Sequence, residues 1–271
     1  MYKYNLKTAL FVLCLIYIIF AYNINVYSFG IDNNDSGVAN VKTVYITSDD
    51  GPWSGTENII KVATATKTPI SLFFIGYRYY KANDNLKQVV QQLKDNPYIQ
   101  ICNHSYSHAW GRYGKFYHTD KLAYEDFKKN TQELGISNAS PIHSRFPARN
   151  VFRLPNLRKN DDYVTKHCKN PKQEEAIYDE VYDNGKYYVY GWDVYWDFNN
   201  KGKPLLTPKE IVSRINKKFK ENTTVMPNKC ILIMHDVMFM DKFSGKENLT
   251  NLIALLKKEG YRLDFIKNYI N

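Results

Sequence analysis

Two adjacent carboxylates, Asp49 and Asp50 of TSDDGP, stand at the end of an apolar run and directly before a Gly-Pro turn. Neighbouring side chains on an extended segment point to opposite sides, so two like charges can be divided between tasks only where the backbone turns. Gly51-Pro52 supplies that turn. By itself the stretch is also an ordinary turn, in which Asp is favoured for local hydrogen bonding. A second stretch, HSYSH, sets His104 and His108 four residues apart. On a helical turn that spacing brings two imidazoles to one side, where they can share a small cation. Alone, the pair also fits two surface histidines. Two neutral imidazoles and one carboxylate form a three-ligand metal site that leaves a position open for water. On this reading Asp50 holds the metal, while Asp49 stays unligated and takes a proton from the attacking water as general base.

These side chains come from distant parts of the chain and need a scaffold that gathers them. From Val41 onward short apolar runs alternate with amphipathic stretches. VKTVYIT, PISLFFIG, YIQICN, KYYVYGWDV and KCILIMHD read as strands. Glu57 to Lys67, NLKQVVQQLKDN, LAYEDFKKNTQELG, the segment from Thr207 and ENLTNLIALLKKEG read as helices. Thr207-Pro208-Lys209-Glu210 is a capping box with Pro at the first helical position, and Gly260 fits a helix stop. Such a βα rhythm predicts a mostly parallel sheet, open or closed into a barrel, with functional residues at the C-terminal ends of strands. TSDDGP, NHSYSH and the HD of ILIMHD all sit at such ends. Residues 156–186 lack a clear period and read as an insertion.

The 271 residues, 44% hydrophobic and 24% charged, suffice for one large domain. At the start, Lys3 and Lys7 precede TALFVLCLIYIIFAY, an apolar stretch of signal-peptide length. Residues 1–28 are therefore expected to direct export, with cleavage after Ser28 or retention as a membrane anchor. Residues 29–40 form a polar linker, and 41–271 the catalytic domain. Export to the periplasm, envelope or exterior removes nucleic acid from the expected partners, and leaves membrane contact to an uncleaved N-terminal segment. The net charge of +10 suits anionic partners such as cell-wall polymers. Beyond Cys14 the cysteines number three, and Cys102 and Cys230 lie in apolar runs that favour buried, reduced thiols.

TSDDGP, HSYSH, the Arg-x-Pro of SRFPARN, GWDVYWD and LIMHD occur in the order and rough spacing of the polysaccharide deacetylase family, which includes chitin and peptidoglycan N-deacetylases. The sequence resembles that family over nearly the whole exported chain. The resemblance implies a distorted (β/α) barrel, a divalent metal, usually zinc, and removal of N-acetyl groups from the amino sugars of a polysaccharide or oligosaccharide. It matches Asp49 to the general base, Asp50, His104 and His108 to the metal ligands, Arg145 to the arginine that holds the base, and His235 to the general acid. An amide is a poor electrophile with a poor leaving group, so a polarising cation, an activated water and a proton donor are the parts its hydrolysis needs.

Three positions depart from the family pattern. Ser48 stands where Phe or His is usual, Ala148 where an aromatic or Pro is frequent, and Tyr195 where an Asp is expected. Strand alternation puts Asp193, Tyr195 and Asp197 on one face, so Asp193 is the expected carboxylate partner of His235, with Asp197 second. His118, His143 and His167 match no family position and read as surface or structural residues. Two other functions fit the same motifs: a catalytically inactive carbohydrate-binding relative, and another metal-dependent amidase or esterase on the same scaffold.

Overall fold

A computed structural model of the protein describes residues 41–270; the expected export segment and linker lie outside them. Ten strands form one sheet: β1 (Thr43–Gly51), β2 (Ile70–Phe74), β3 (Ile99–Asn103), β4 (Ile142–Ser144), β5 (Phe152–Leu154), β6 (Leu157–Lys159), β7 (Tyr187–Val189), β8 (Val194–Tyr195), β9 (Lys229–His235) and β10 (Arg262–Leu263). Their order is β6-β5-β7-β4-β3-β2-β1-β9-β8, with β10 also on β1. All neighbours are parallel except β5, which runs antiparallel to β6 and β7. This curled, mainly parallel sheet with helices between its strands is the distorted (β/α) barrel expected from the sequence.

The helices are α1 (Thr56–Thr66), α2 (Gly76–Lys81), α3 (Asp84–Gln92), α4 (Tyr113–Phe116), α5 (Leu122–Glu133), α6 (Asp162–His167), α7 (Pro171–Gly185), α8 (Pro208–Lys220) and α9 (Gly245–Lys258). α9 buries Leu249, Leu252, Ile253 and Leu256, the i, i+3, i+4, i+7 stripe of an amphipathic helix. With Ile59 of α1 and Ile211 and Ile215 of α8 it covers Val44 and Ile46 of β1. α8 starts at the expected capping box, in which Thr207 Oγ1 accepts from the Glu210 amide and the Glu210 carboxylate from the Thr207 amide. The opposite face of β1 carries Tyr45, which packs with Phe73, Cys102 and Ile231. By the two-residue period Thr47 and Asp49 follow Tyr45 on that inner face. The polar residues of the strand ends therefore gather at one end of that face, beyond the apolar residues around Tyr45. Cys102 and Cys230 are buried free thiols.

Residues 156–186 are ordered structure: β6, α6 and the 15-residue α7. The buried stripe of α7 is Glu174, Ile177, Tyr178 and Val181. Its helical period is hidden in the sequence because Glu174, a charged residue, occupies a core position. KYYVYGWDV, expected as one strand, divides into β7, which pairs with β4 and β5, and β8, which pairs with β9. The alternation argument fails at that break, because it assumed an unbroken pleat from Trp192 to Asp197.

Candidate active site

Register explains how the two carboxylates part company. Asp49 pairs with Phe73 of β2 and Gly51 with Phe74, so Asp50 is the extra residue of a bulge. Its φ of 70° lies in the left-handed region that Asp tolerates better than most residues, and Arg78 donates to its carbonyl oxygen. The bulge sends Asp49 inward and turns Asp50 toward the histidines.

HSYSH is not a helical turn, contrary to the expectation. Ser105 and His108 both have positive φ, and a 3-10 turn begins only at His108. The loop is shaped by polar side chains: half-buried Asp126 accepts from the amides of Tyr106 and Ser107, and buried Asn103 Oδ1 accepts from the Ser105 amide and from Asn130. Ser105 Oγ accepts from the His108 amide at 3.0 Å. These polar contacts bring the imidazoles together by a different route from the one the spacing suggested, with ring centroids 5.1 Å apart. Asn103 stands inside the quoted motif and Asp126 on α5 outside it; nothing in the spacing singled out either.

Nδ1 of His104 lies 2.9 Å from the Arg145 carbonyl oxygen. A carbonyl only accepts, so Nδ1 carries the hydrogen, and in its neutral form the ring turns the lone pair of Nε2 into the site. That lone pair faces Asp50 Oδ1 at 3.5 Å and Asp49 Oδ2 at 3.6 Å. His108 Nε2 lies 3.2 Å from the same Asp50 oxygen, which is buried and has no hydrogen bond. Lone pairs facing a carboxylate call for a positive charge between them. A tetrahedral cation at ordinary Zn–N and Zn–O lengths would separate N and O by roughly 3.4 Å, so Asp50, His104 and His108 fit such an ion.

Titration follows the same crowding. Burial pulls His104 down, but the charge of Asp49 and the contact with Asp50 outweigh it and the net shift is upward. His108 is pushed down to about 4, mainly by burial and then by His104. Burial raises Asp50, yet the hydrogen-bonding and charge of the histidines hold its carboxyl well below the usual range.

Arg145 is fully buried just past β4 and spends its donors on fixed acceptors. Nε donates to the Tyr190 carbonyl, Nη2 to the Gly191 carbonyl, and Nη1 to Thr47 Oγ1 and, at 2.7 Å, to Asp49 Oδ1. Its guanidinium lies 4.2 Å from the centroid of the Phe73 ring. Asp49 is thereby held by one oxygen, its other oxygen facing His104.

His235 ends β9 directly opposite Asp49. The rings of Phe198 and Tyr195 lie 4.8 and 5.5 Å from it, and its buried Nδ1 has no hydrogen bond. Burial lowers its pKa against the raising effect of Asp50 and Asp49. Neither expected partner reaches it. Asp193 accepts from the amides of Val225 and Ile231 at 2.7 and 2.8 Å, four residues back along β9 from His235. Asp197 pairs with Arg214 at 3.4 Å. The break between β7 and β8 is the reason for both placements. Asp193 is thus a strut, and burial raises its pKa despite those two amides. Asp193→Ala should strip two amides, those of buried Ile231 and half-buried Val225, of their acceptor and cost about 2 kcal/mol or more, read by urea unfolding, while both limbs of any pH–rate profile stay where they are. A shifted alkaline limb with unchanged stability would restore Asp193 to the site.

Asp236, adjacent to His235, is a further buried carboxylate that the motif reading passed over. It accepts from the Gly55 amide at 2.8 Å and from Thr56 Oγ1, so it ties the start of α1 to the end of β9. Burial, only partly opposed by these bonds, pushes it up to about 6. Between about pH 4, the unfolded value, and about 6 the native protein keeps a proton the unfolded chain has released. Its contribution is whole below about 4 and is lost as pH rises through about 6, a change on the order of 3 kcal/mol. Asp236→Asn, which keeps the shape, should flatten that stretch of the stability–pH curve in denaturant titrations. Parallel curves for the two proteins across pH 4–7 would show that Asp236 does not titrate there.

Residues 36–170 match the polysaccharide deacetylase family. The chain is 25% identical to a chitin disaccharide deacetylase of Vibrio alginolyticus over an alignment covering 84% of this chain and 71% of that one. Its fold is similar to the catalytic domain of a peptidoglycan N-acetylglucosamine deacetylase from Eubacterium rectale (TM-score 0.61, 17% identity, 86% of this chain and 92% of that one). It is also similar to a CE4 family pseudoenzyme from Bacillus anthracis (TM-score 0.54, 16% identity, 86% and 66%). On its motifs, its fold and these matches, the chain belongs to the polysaccharide deacetylase family.

Proposed function

We propose that the protein is an exported, metal-dependent hydrolase that removes N-acetyl groups from the amino sugars of an envelope or extracellular polysaccharide, peptidoglycan or chitin-like. The observation that carries this reading is the convergence, at adjoining strand ends, of three kinds of group. Asp50, His104 and His108 would hold a divalent cation, for which zinc suits the mixed nitrogen and oxygen donors. When bound, the cation polarises the acetyl carbonyl and favours the ionised form of the attacking water.

The chain supplies the proton handling. Asp49, held in orientation by Arg145, presents Oδ2 to the site as the base. His235, across the strand pair, is the group placed to give a proton to the departing amine. Its ring is boxed by Tyr195 and Phe198, so the charges that favour its protonated form are Asp49 and Asp50, which replace the Asp193 or Asp197 partnership. Trp53 and Trp110 stand within three residues of Asp50 and His108 and remain half exposed, which suits stacking on sugar rings.

A fold shared with a pseudoenzyme does not by itself carry activity. Retention of both Asp49 and His235 favours an enzyme over a glycan-binding relative, which needs neither. The test is acetate release from N-acetylglucosamine oligomers and from peptidoglycan by metal-loaded protein, with aryl acetates as the competing substrate. Acetate from the amides that disappears on chelation and returns with metal supports the proposal. Binding of the oligomers without release would make the chain a binding module, and release from aryl acetates alone would make it an esterase.

A further inference from the structure

Away from this site, three donors of different chemistry meet at the start of α7. His118 lies two residues past α4, Cys168 caps the end of α6, and Glu174 sits in the first turn of α7. Cys168 Sγ is 3.7 Å from His118 Nε2 and 3.6 Å from Glu174 Oε1. Tetrahedral coordination with ordinary Zn–S, Zn–N and Zn–O lengths would give about 3.6 Å for both separations. Sequence reading left His118 and Cys168 without a role, since 50 residues separate them.

The hydrogen-bonding pattern points the donors inward. His118 Nδ1 lies 2.7 Å from the Gly114 carbonyl, so it carries the hydrogen, and Nε2 offers its lone pair to the thiol. Glu174 is buried and held as an anion: Arg149 grips both oxygens, and Tyr178 donates to Oε2 at 2.6 Å. Burial raises its pKa, but the bonds from Arg149 and Tyr178 bring it below the ordinary value. One thiol hydrogen cannot serve the imidazole lone pair and the carboxylate together. A cation would serve both, and His118, a quarter exposed, leaves a way in for it and for a water as fourth ligand.

We propose that His118, Cys168 and Glu174 form a second metal site, structural in role, selective for a borderline-soft divalent ion of the zinc or cobalt type. Binding releases the thiol proton to solvent, and the thiolate offsets one charge of the dication, the Glu174 carboxylate being already paired with Arg149. The ion ties the segment after α4 to the first turn of α7. The helix just before it, α4, begins with Tyr113, whose hydroxyl lies 3.4 Å from His108 Nδ1, so the clamp braces the outer side of the catalytic cation site.

Cobalt distinguishes the sites because only this one contains sulfur. Metal-free full-length protein titrated with Co²⁺ alone should develop the near-ultraviolet thiolate-to-cobalt charge-transfer band. Cys168→Ser should lose that band, and Asp50→Ala, which empties the other site, should retain it. Alkylation of Cys168 should slow in saturating Zn²⁺, and His118→Ala should remove that protection. No band in the parent protein, a band that survives in Cys168→Ser, or alkylation indifferent to zinc would each overturn the proposal.

Discussion

Asp49→Asn is expected to keep its full complement of metal at the Asp50 site while deacetylation falls by about 10²–10⁴-fold, the range for removing a positioned proton acceptor. His104→Ala should lose both together. The difference follows from the bulge at Asp50. Only Asp50 has an oxygen within 3.5 Å of both His104 and His108, and that oxygen has no other partner. Asp49 instead has one oxygen committed to Arg145 at 2.7 Å. An amide at position 49 can still accept that bond through its oxygen, so the fold should tolerate the change. It cannot take up a proton. In His104→Ala the pocket loses a lone pair and the Arg145 carbonyl loses its donor. Metal content after dialysis against a weak chelator, measured beside acetate release, separates the cases, with any ion at the sulfur-containing site identified in Cys168→Ser backgrounds. A metal-free Asp49→Asn that regains metal when Asp50 is substituted instead would mean that the two carboxylates have exchanged tasks.

What could be read from the sequence was what depends on residue type and order. The alternation of strands and helices was visible because most core stripes are plainly apolar, as in α9, and because strand ends carry most of the polar clusters. The donors Asp50, His104 and His108 do converge, but the helical turn assumed for HSYSH does not exist. Its loop is shaped by Asp126 and Asn130, which lie 18 and 22 residues beyond His108 and reveal themselves only by contact. The reading of GWDVYWD failed for a related reason. A strand break at Gly191 separates β7 from β8, and no periodicity argument survives a change of partner strand. Its Asp193 is charged and close to a motif, yet it serves two backbone amides. Likewise Glu174 was illegible as a core residue until Arg149 and Tyr178 were seen to surround it.

Arg145→Met should be among the most destabilising single substitutions in the domain, at about 3–5 kcal/mol, because it leaves a buried charge without its counter-ion. Domains of this kind have only about 5–15 kcal/mol in total. Arg145 is fully buried, and four acceptors depend on it: Asp49 Oδ1, Thr47 Oγ1 and the carbonyls of Tyr190 and Gly191. All four acceptors belong to buried residues. Lysine should rescue little, since one ammonium cannot spread its donors across acceptors arranged for a planar fork. The charge component can be isolated by a double-mutant cycle with Asp49→Asn. If the cost is mainly the stranded carboxylate, Arg145→Met should be markedly milder in the Asp49→Asn background, with a coupling of a few kcal/mol in urea unfolding. Additive effects would mean that Arg145 is held for the two carbonyls and Thr47. Asp49 would then be oriented by the strand alone, and the assignment of Arg145 to the base would fail even though the residue is indispensable to the fold.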